Sequence, residues 1–276
     1  MRARLVILIA ALSCASLPAP AQVQQQGSRT GWPCGGRVDS SFVRTAEATG
    51  GRVLLFAPTE LSGFTNEMDA SRGHDEIVLR VTGQLTEGQR DFDVPIDSSI
   101  ESVYFFVSVQ CLHSVAIVPP PGGEFNATAP GVEYHEFAAI RLITIKAPSP
   151  GRWRIGVAGS GVYSLIVQAN SSVTLREVSL SQDGKPIVVP TPLGERVHLE
   201  TALSEAPANV SFHFVAMDGK PLASFVPSVA RTTDGATTYV ADVRLPSSDF
   251  RLLVDGVDAK GFAFQRVSPR LFVGDR

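Results

Sequence analysis

From Ile77 onward the chain alternates, and that period limits its possible folds more than any other feature. "EIVLRVTG" places every second apolar residue on one face from Ile77, "RDFDVPID" sets Phe92 and Val94 together, and "SVYFFVSVQ" is apolar from Val103 to Val109, as suits a strand buried on both sides. "AIRLITIKAP", "GRWRIGVAG" and "GVYSLIVQA" follow, divided by Pro-Gly and Gly-Ser-Gly breaks that read as turns. A second alternating region begins near Leu175. There "REVSLSQDGKPI" and "ANVSFHFVAMDGKPL" carry hairpin signals at Asp183-Gly184 and Asp218-Gly219, and "ATTYVADVRLP", "DFRLLVDGVD" and "KGFAFQRVSPRLF" complete the set. Strands and turns at this spacing specify stacked antiparallel sheets, not βαβ units. The expected fold class is all-β, with two tandem β-sandwiches at 76–175 and 176–276. Alternation turns Trp153, Ile155 and Val157 inward in the first, and Val210, Phe212 and Phe214 in the second, leaving His213 towards solvent.

One stretch departs from this period. "SSFVRTAEATGG", Ser40 to Gly51, spells an amphipathic helix with Asp39 or Ser40 as its N-terminal cap and Gly50-Gly51 as its stop. "RVLLFAP" follows as an apolar strand ended by Pro58, and 59–74 is connector. A lone helix-strand unit at 38–75 cannot bury both faces of its strand. Phe42, Val43, Ala46 and Leu54 are therefore expected to bury against the 76–175 sandwich.

The first residues read as a secretory signal peptide, 1–21: Arg2 and Arg4 precede an apolar run to about Leu17, then Ala19-Pro20-Ala21 as a cleavage site. Cys14 lacks the leucine three positions back that a lipoprotein site requires. A polar, glycine-rich linker spans 22–37. The expected location is outside the cytoplasm, periplasmic or extracellular, without stable membrane insertion. The formal charge of -3 includes no basic block, which argues against nucleic acid as a partner. Beyond the leader two cysteines remain, Cys34 and Cys111: either one disulfide worth ~4 kcal/mol in the chain-entropy picture, or a buried free Cys111 with Cys34 unpaired in a loop.

"SSFVRTAEATGGRVLLF" resembles the closing helix and strand of a von Willebrand factor A domain. "FDVPIDSSIESVYFFVSV", "PSPGRWRIGVAGSGVYSLIV" and "SDFRLLVDGVDAKGFAFQR" resemble the region that follows such a domain in hemicentins and related secreted A-domain proteins. The resemblance implies a galactose-binding-like sandwich followed by an immunoglobulin-like one, preceded by a remnant of the A domain. It does not extend to that domain's metal site: "DASRG" at Asp69 and "DSSIE" at Asp97 both fail the Asp-x-Ser-x-Ser pattern.

Chemistry-bearing patterns are sparse. His74, His113, His135, His198 and His213 lie near no Gly-x-Ser-x-Gly elbow, His-Glu-x-x-His or Cys-x-x-Cys. Asp91, Asp93 and Asp97 read either as calcium ligands at a strand end or as a solvated edge that discourages strand pairing. Phe125, Tyr134 and His135, in the loop 124–136, are the candidate ligand-binding residues, with a structural loop as the alternative. The sequons at Asn126, Asn170 and Asn209 mark exposed turns. The expectation is a secreted, non-enzymatic interaction or adhesion module without cofactor or metal, meeting a protein or glycan partner at the cell exterior. The alternative is a carbohydrate-binding module using the 124–136 loop.

Overall fold

In the computed structural model, residues 34, 36, 38–55, 73, 75–187, 190–205, 207–233 and 235–274 are described. The leader 1–21, most of the linker, Trp32, Asp69 and His74 lie outside the described residues.

The helix α1 (Ser40–Thr49) forms where its caps place it. Asp39 accepts from the Ser41 N–H at 2.8 Å, and Gly50 closes the C-terminus at φ 74. The next segment differs from expectation. Residues 51–55 join no strand ladder, and instead bury Val53, Leu54 and Leu55 as irregular chain, with the Leu55 N–H donating to Ser108 Oγ at 3.0 Å.

Five antiparallel strands make the first body: β1 (Glu76–Ile96), β2 (Ile100–Val118), β3 (Val132–Glu136), β4 (Ile140–Lys146) and β5 (Gly151–Ser171), in the order β1-β5-β2-β4-β3. Three of them are far longer than expected. The stretches read as separate strands either side of Gly83 and of Gly159-Ser160-Gly161 are single strands of 21 residues. Extended straight, such a strand would run ~70 Å. Yet Phe92 pairs in register with Ile155 and Gly83 with Tyr163, while the Phe92 and Tyr163 rings lie only 5.8 Å apart. The long strands therefore fold over, and one sheet encloses its own core of Val81, Phe92, Val94, Phe105, Trp153, Tyr163 and Leu165. The bend falls at bulges between Leu85 and Gly88 and between Val109 and Cys111, where strands change layers. Gly159 is required there, because a Cβ would lie 2.2 Å from the Cys111 carbonyl oxygen. Cys34 is bonded to Cys111 at this corner, which ties the chain ahead of α1 to β2.

The second body has two sheets. β6 (Ser179–Gln182), β7 (Lys185–Pro186), β8 (Arg196–Leu203), β11 (Ser228–Thr233) and β12 (Ala236–Arg244) form one, ordered β11-β12-β8-β6-β7. β9 (Ala208–Val215), β10 (Pro221–Phe225), β13 (Arg251–Val257) and β14 (Ala263–Val267) form the other, ordered β10-β9-β13-β14. Asp183 and Gly184 both take positive φ in the β6–β7 turn, as the Asp-Gly signal requires. An aromatic cluster holds the layers together, with Phe214 and Phe250 centroids 4.7 Å apart and Phe250 and Phe272 5.1 Å apart.

The outer face of the first sheet is covered from both sides of the chain. Leu54 ahead of it and Val267 beyond it join Tyr104, Phe106, Ile140 and Ile166 in one cluster. Two buried charge networks cross the same junction. Glu47 of α1 accepts from Arg80 Nε at 2.8 Å and from Thr82 Oγ1 at 2.7 Å, and also pairs with Arg251. Asp97 pairs with Arg266 at 2.7 Å, both side chains fully buried. The helix thus packs on both sandwiches, not on the first alone: Arg44 reaches Asp249 at 2.7 Å and the Leu271 N–H donates to Glu47 O at 2.8 Å. Val43, Ala46 and Leu54 bury as expected, but Phe42 remains 54% exposed.

Candidate functional site

Where β1 meets β13 and β14, two adjoining clefts of about 250 and about 270 Å³ share Asp93 and Gln265. Their walls carry Arg90, Asp91, Asp218, Arg152 and Asp255, so the floor is charged and hydrogen-bonding. Arg90 is fixed: it lies over the Phe92 ring at 5.1 Å and donates to Tyr163 Oη at 2.7 Å and to Asp218 O at 2.9 Å. Burial pushes the Tyr163 phenol up, with Arg90 opposing. Burial also pushes Asp218 up, but hydrogen bonds from Lys220 hold it below the usual carboxylate range. Phe92 and Tyr163 are themselves buried, so the groove offers polar groups without an open aromatic face.

The residues singled out in the sequence are scattered. Tyr134 stands opposite Ile143 in β3 and packs, with Phe125, against the first core, both half-buried. His135 points to the other face, opposite Leu142. Asp91 accepts from Gln89 at 2.6 Å, Asp93 pairs with Arg152 at 3.0 Å, and Asp97 is committed to Arg266. Among the described residues no group of three or more His, Cys, Asp or Glu side chains is placed to hold a metal ion.

His198 and His213 meet carboxylates. His198 contacts Asp242 at 2.9 Å on an exposed sheet face. His213 has a hydroxyl as well: its Nδ1 is 2.7 Å from Ser224 Oγ, and its Nε2 is 3.1 Å from Asp255 Oδ1 but outside hydrogen-bonding geometry. A hydrolase relay also needs a pocket and aligned oxyanion donors. Ser224 instead lies in the ladder of an outer strand, opposite His213, and neither cleft includes it in its wall.

The outer strands differ in how they are protected. β14 lies across β1, with Gln265 Nε2 donating to Val78 O at 2.7 Å; β7 is two residues long; β3 carries Glu133 and Glu136 in ion pairs. β10 and β11 are left, on one side of the second sandwich and joined through Val226-Pro227. All six residues of β11 are exposed, and Leu222, Val226 and Val229 are 40%, 79% and 58% exposed. Arg231 is the one charged residue from Pro221 to Thr233. The sequence reading passed over β11. The signal available was an uncharged, partly apolar run, "PLASFVPSVA".

Residues 77–172 match the family model described as hemicentin galactose-binding domain-like, which supports a galactose-binding-like β-sandwich, a binding module, in the middle of the chain. No curated protein matches the chain. Among solved structures, a lipase of Bacillus licheniformis in its propeptide form is similar at 13% identity and a TM-score of 0.33, covering 68% of this chain and 40% of that one. A beta-glucuronidase of Bifidobacterium dentium complexed with coumarin-3-O-glucuronide is similar at 7% identity and a TM-score of 0.22, covering 65% of this chain and 38% of that one.

Proposed function

We propose that the chain is an exported, non-enzymatic interaction module of the adhesion type, meeting a protein partner through the loops and outer strands of two sandwiches, 76–175 and 176–276. The observation that carries this reading is the β10–β11 rim, where apolar side chains and strand edges face solvent together. Export is supported by the sequence of the first 21 residues and by the Cys34–Cys111 bond, which suits an oxidising compartment. No helix among the described residues is long and apolar enough to cross a membrane. In this reading α1 is the surviving edge of an A-type domain and the second sandwich is immunoglobulin-like; the resemblance of "SSFVRTAEATGG" and of the "SDFRLLVDGVDAKGFAFQR" stretch supports both.

The test compares the wild-type chain with Leu222→Asp/Val226→Asp in quantitative capture from the native cell exterior. A protein enriched by the wild type and absent with the double variant is the expected result. Turnover of generic ester or peptide substrates that disappears in Ser224→Ala would overturn the non-enzymatic reading. A second reading, carbohydrate binding through Phe125, Tyr134 and His135, is favoured by the family match over residues 77–172. Glycan-array binding lost in Tyr134→Ala would establish it in place of the first.

A further inference from the structure

Resting on that reading, we propose that β11 receives a short acidic segment of a partner protein in extended form, as a sixth strand of the sheet β11-β12-β8-β6-β7. An outer strand presents a row of backbone N–H and C=O groups, and β11 does so with every residue exposed. A bulge decides which side chains the newcomer meets. Val229 stands opposite Tyr239 and Arg231 opposite Thr238, so Ala230 is the extra residue. Val229 consequently shares the inner face with Tyr239, a core residue, while Arg231 lies on the outer face and donates from Nε to Thr238 Oγ1 at 3.2 Å.

The inner side of this rim is incompletely filled. Phe225 packs edge-on to Phe212 at 5.7 Å and against Phe214 at 5.0 Å but is itself only half-buried, and Val226 and Val229 beside it stay exposed. A strand added along β11 would alternate across the sheet. Its inward side chains would cover Val229, and its outward ones would run beside Arg231. Arg231 forms no ion pair with a described residue, so an incoming carboxylate would be its first. A second copy of this chain fits less well: antiparallel pairing of β11 with itself sets two Arg231 guanidinium groups on one face, where like charges repel. The bulge at Ala230, and Pro227 just before the strand, limit the added run to a few residues.

The probes are two end-blocked synthetic heptapeptides, one alternating valine with glutamate and the other valine with lysine. Each is titrated by fluorescence anisotropy against the full chain and against Arg231→Glu. We expect the glutamate peptide to bind the wild type at least about ten-fold more tightly than the lysine peptide, because outward charge meets Arg231. Arg231→Glu should reverse the order without moving the thermal unfolding midpoint, since the side chain is exposed. Equal binding of the two peptides, binding of neither, or an unchanged order in Arg231→Glu overturns the proposal. If such a result accompanies a partner still lost in Leu222→Asp/Val226→Asp, strand addition fails and the interaction reading stands; if that loss is also missing, both fail.

Discussion

At the scale of single residues, the buried charges around Glu47 do not balance. One carboxylate faces two arginines, all three almost wholly buried, and Arg251 leaves Nε and Nη1 without hydrogen-bond partners among the described residues. Burial pushes Arg251 down to about 10, with Glu47 opposing, so the cation stays charged at neutral pH at a real desolvation cost. The two arginines should therefore respond differently to removal. Arg251→Met leaves the matched pair Glu47–Arg80 and should change stability by less than about 1 kcal/mol, or raise it, whereas Glu47→Gln strands two buried cations and should cost about 3–5 kcal/mol. Urea unfolding of the two variants checks this; equal losses would show that Arg251 is as necessary as Glu47. The pH dependence has a definite sign. Burial pushes Glu47 up, but Arg80 and Arg251 outweigh it and hold the carboxyl below its usual range. Its contribution is thus present above the unfolded pKa of about 4.3 and is lost as pH falls through the lower folded value. In Arg251→Met the carboxyl loses one of its two cations, so acid unfolding should begin at a higher pH than in the wild type, measured as the urea midpoint against pH. None of this was legible in the sequence, where Glu47 is an ordinary helix residue and its partners lie 33 and 204 positions away.

At the scale of elements, most strands were readable in kind but not in extent, while β3 lies inside the expected loop 124–136 and residues 51–55 form no strand. "GRWRIGVAGSGVYSLIVQA" alternates on both sides of Gly159-Ser160-Gly161, and a glycine pair around a serine ordinarily ends a strand. Here the same glycines let the strand turn a corner without leaving its ladder, because Gly159 meets the Cys111 carbonyl and Gly161, at φ 85, sits against Gln110. Local sequence specifies the break in period but not whether a partner strand bends with it. Gly159→Ala should accordingly cost several kcal/mol, more than the ~1 kcal/mol expected for Gly184→Ala, whose Cβ would meet open space at a positive φ. Guanidinium midpoints would rank the two, and comparable values would place no close approach at the corner. The Cys34–Cys111 bond holds that corner to the chain preceding α1, so Cys34→Ser should lower stability by roughly 2–4 kcal/mol under oxidising conditions and by nothing under reducing ones. The candidate site was hidden for a related reason. The bulge at Ala230 breaks the alternation of "SVARTT", so β11 carries no period by which to recognise it, whereas His213 lies on the face opposite Phe212 and Phe214 but is half-buried, beside Ser224 and Asp255 from two other strands.

At the scale of the whole molecule, the two sandwiches are less separate than their sequence periods. Each has its own core, yet the outer face of the first sheet, with Tyr104, Phe106, Leu142 and Ile166, is closed by Arg52 and Leu54 from before it and by Leu253 and Val267 from after it. Arg266 reaches across to Asp97 and to the Val173 carbonyl, and Thr82 N–H donates to Met217 O at 2.8 Å, so backbone and buried charge cross the same boundary. Exposing that apolar face to water would cost about 25 cal/mol per Å², and four large side chains uncovered together amount to several kcal/mol, much of a domain's net stability. The fragment 76–175 alone is therefore expected to bind a hydrophobic dye and to show weak near-ultraviolet dichroism, while 34–276 unfolds in one calorimetric transition whose van't Hoff and measured enthalpies agree. Two resolved transitions in 34–276, or a well-packed isolated fragment, would mean that the junction is a docking contact between finished domains. In that case α1, with Glu47 held by Arg80 on one side and Arg251 on the other, would fasten two independent bodies instead of completing one.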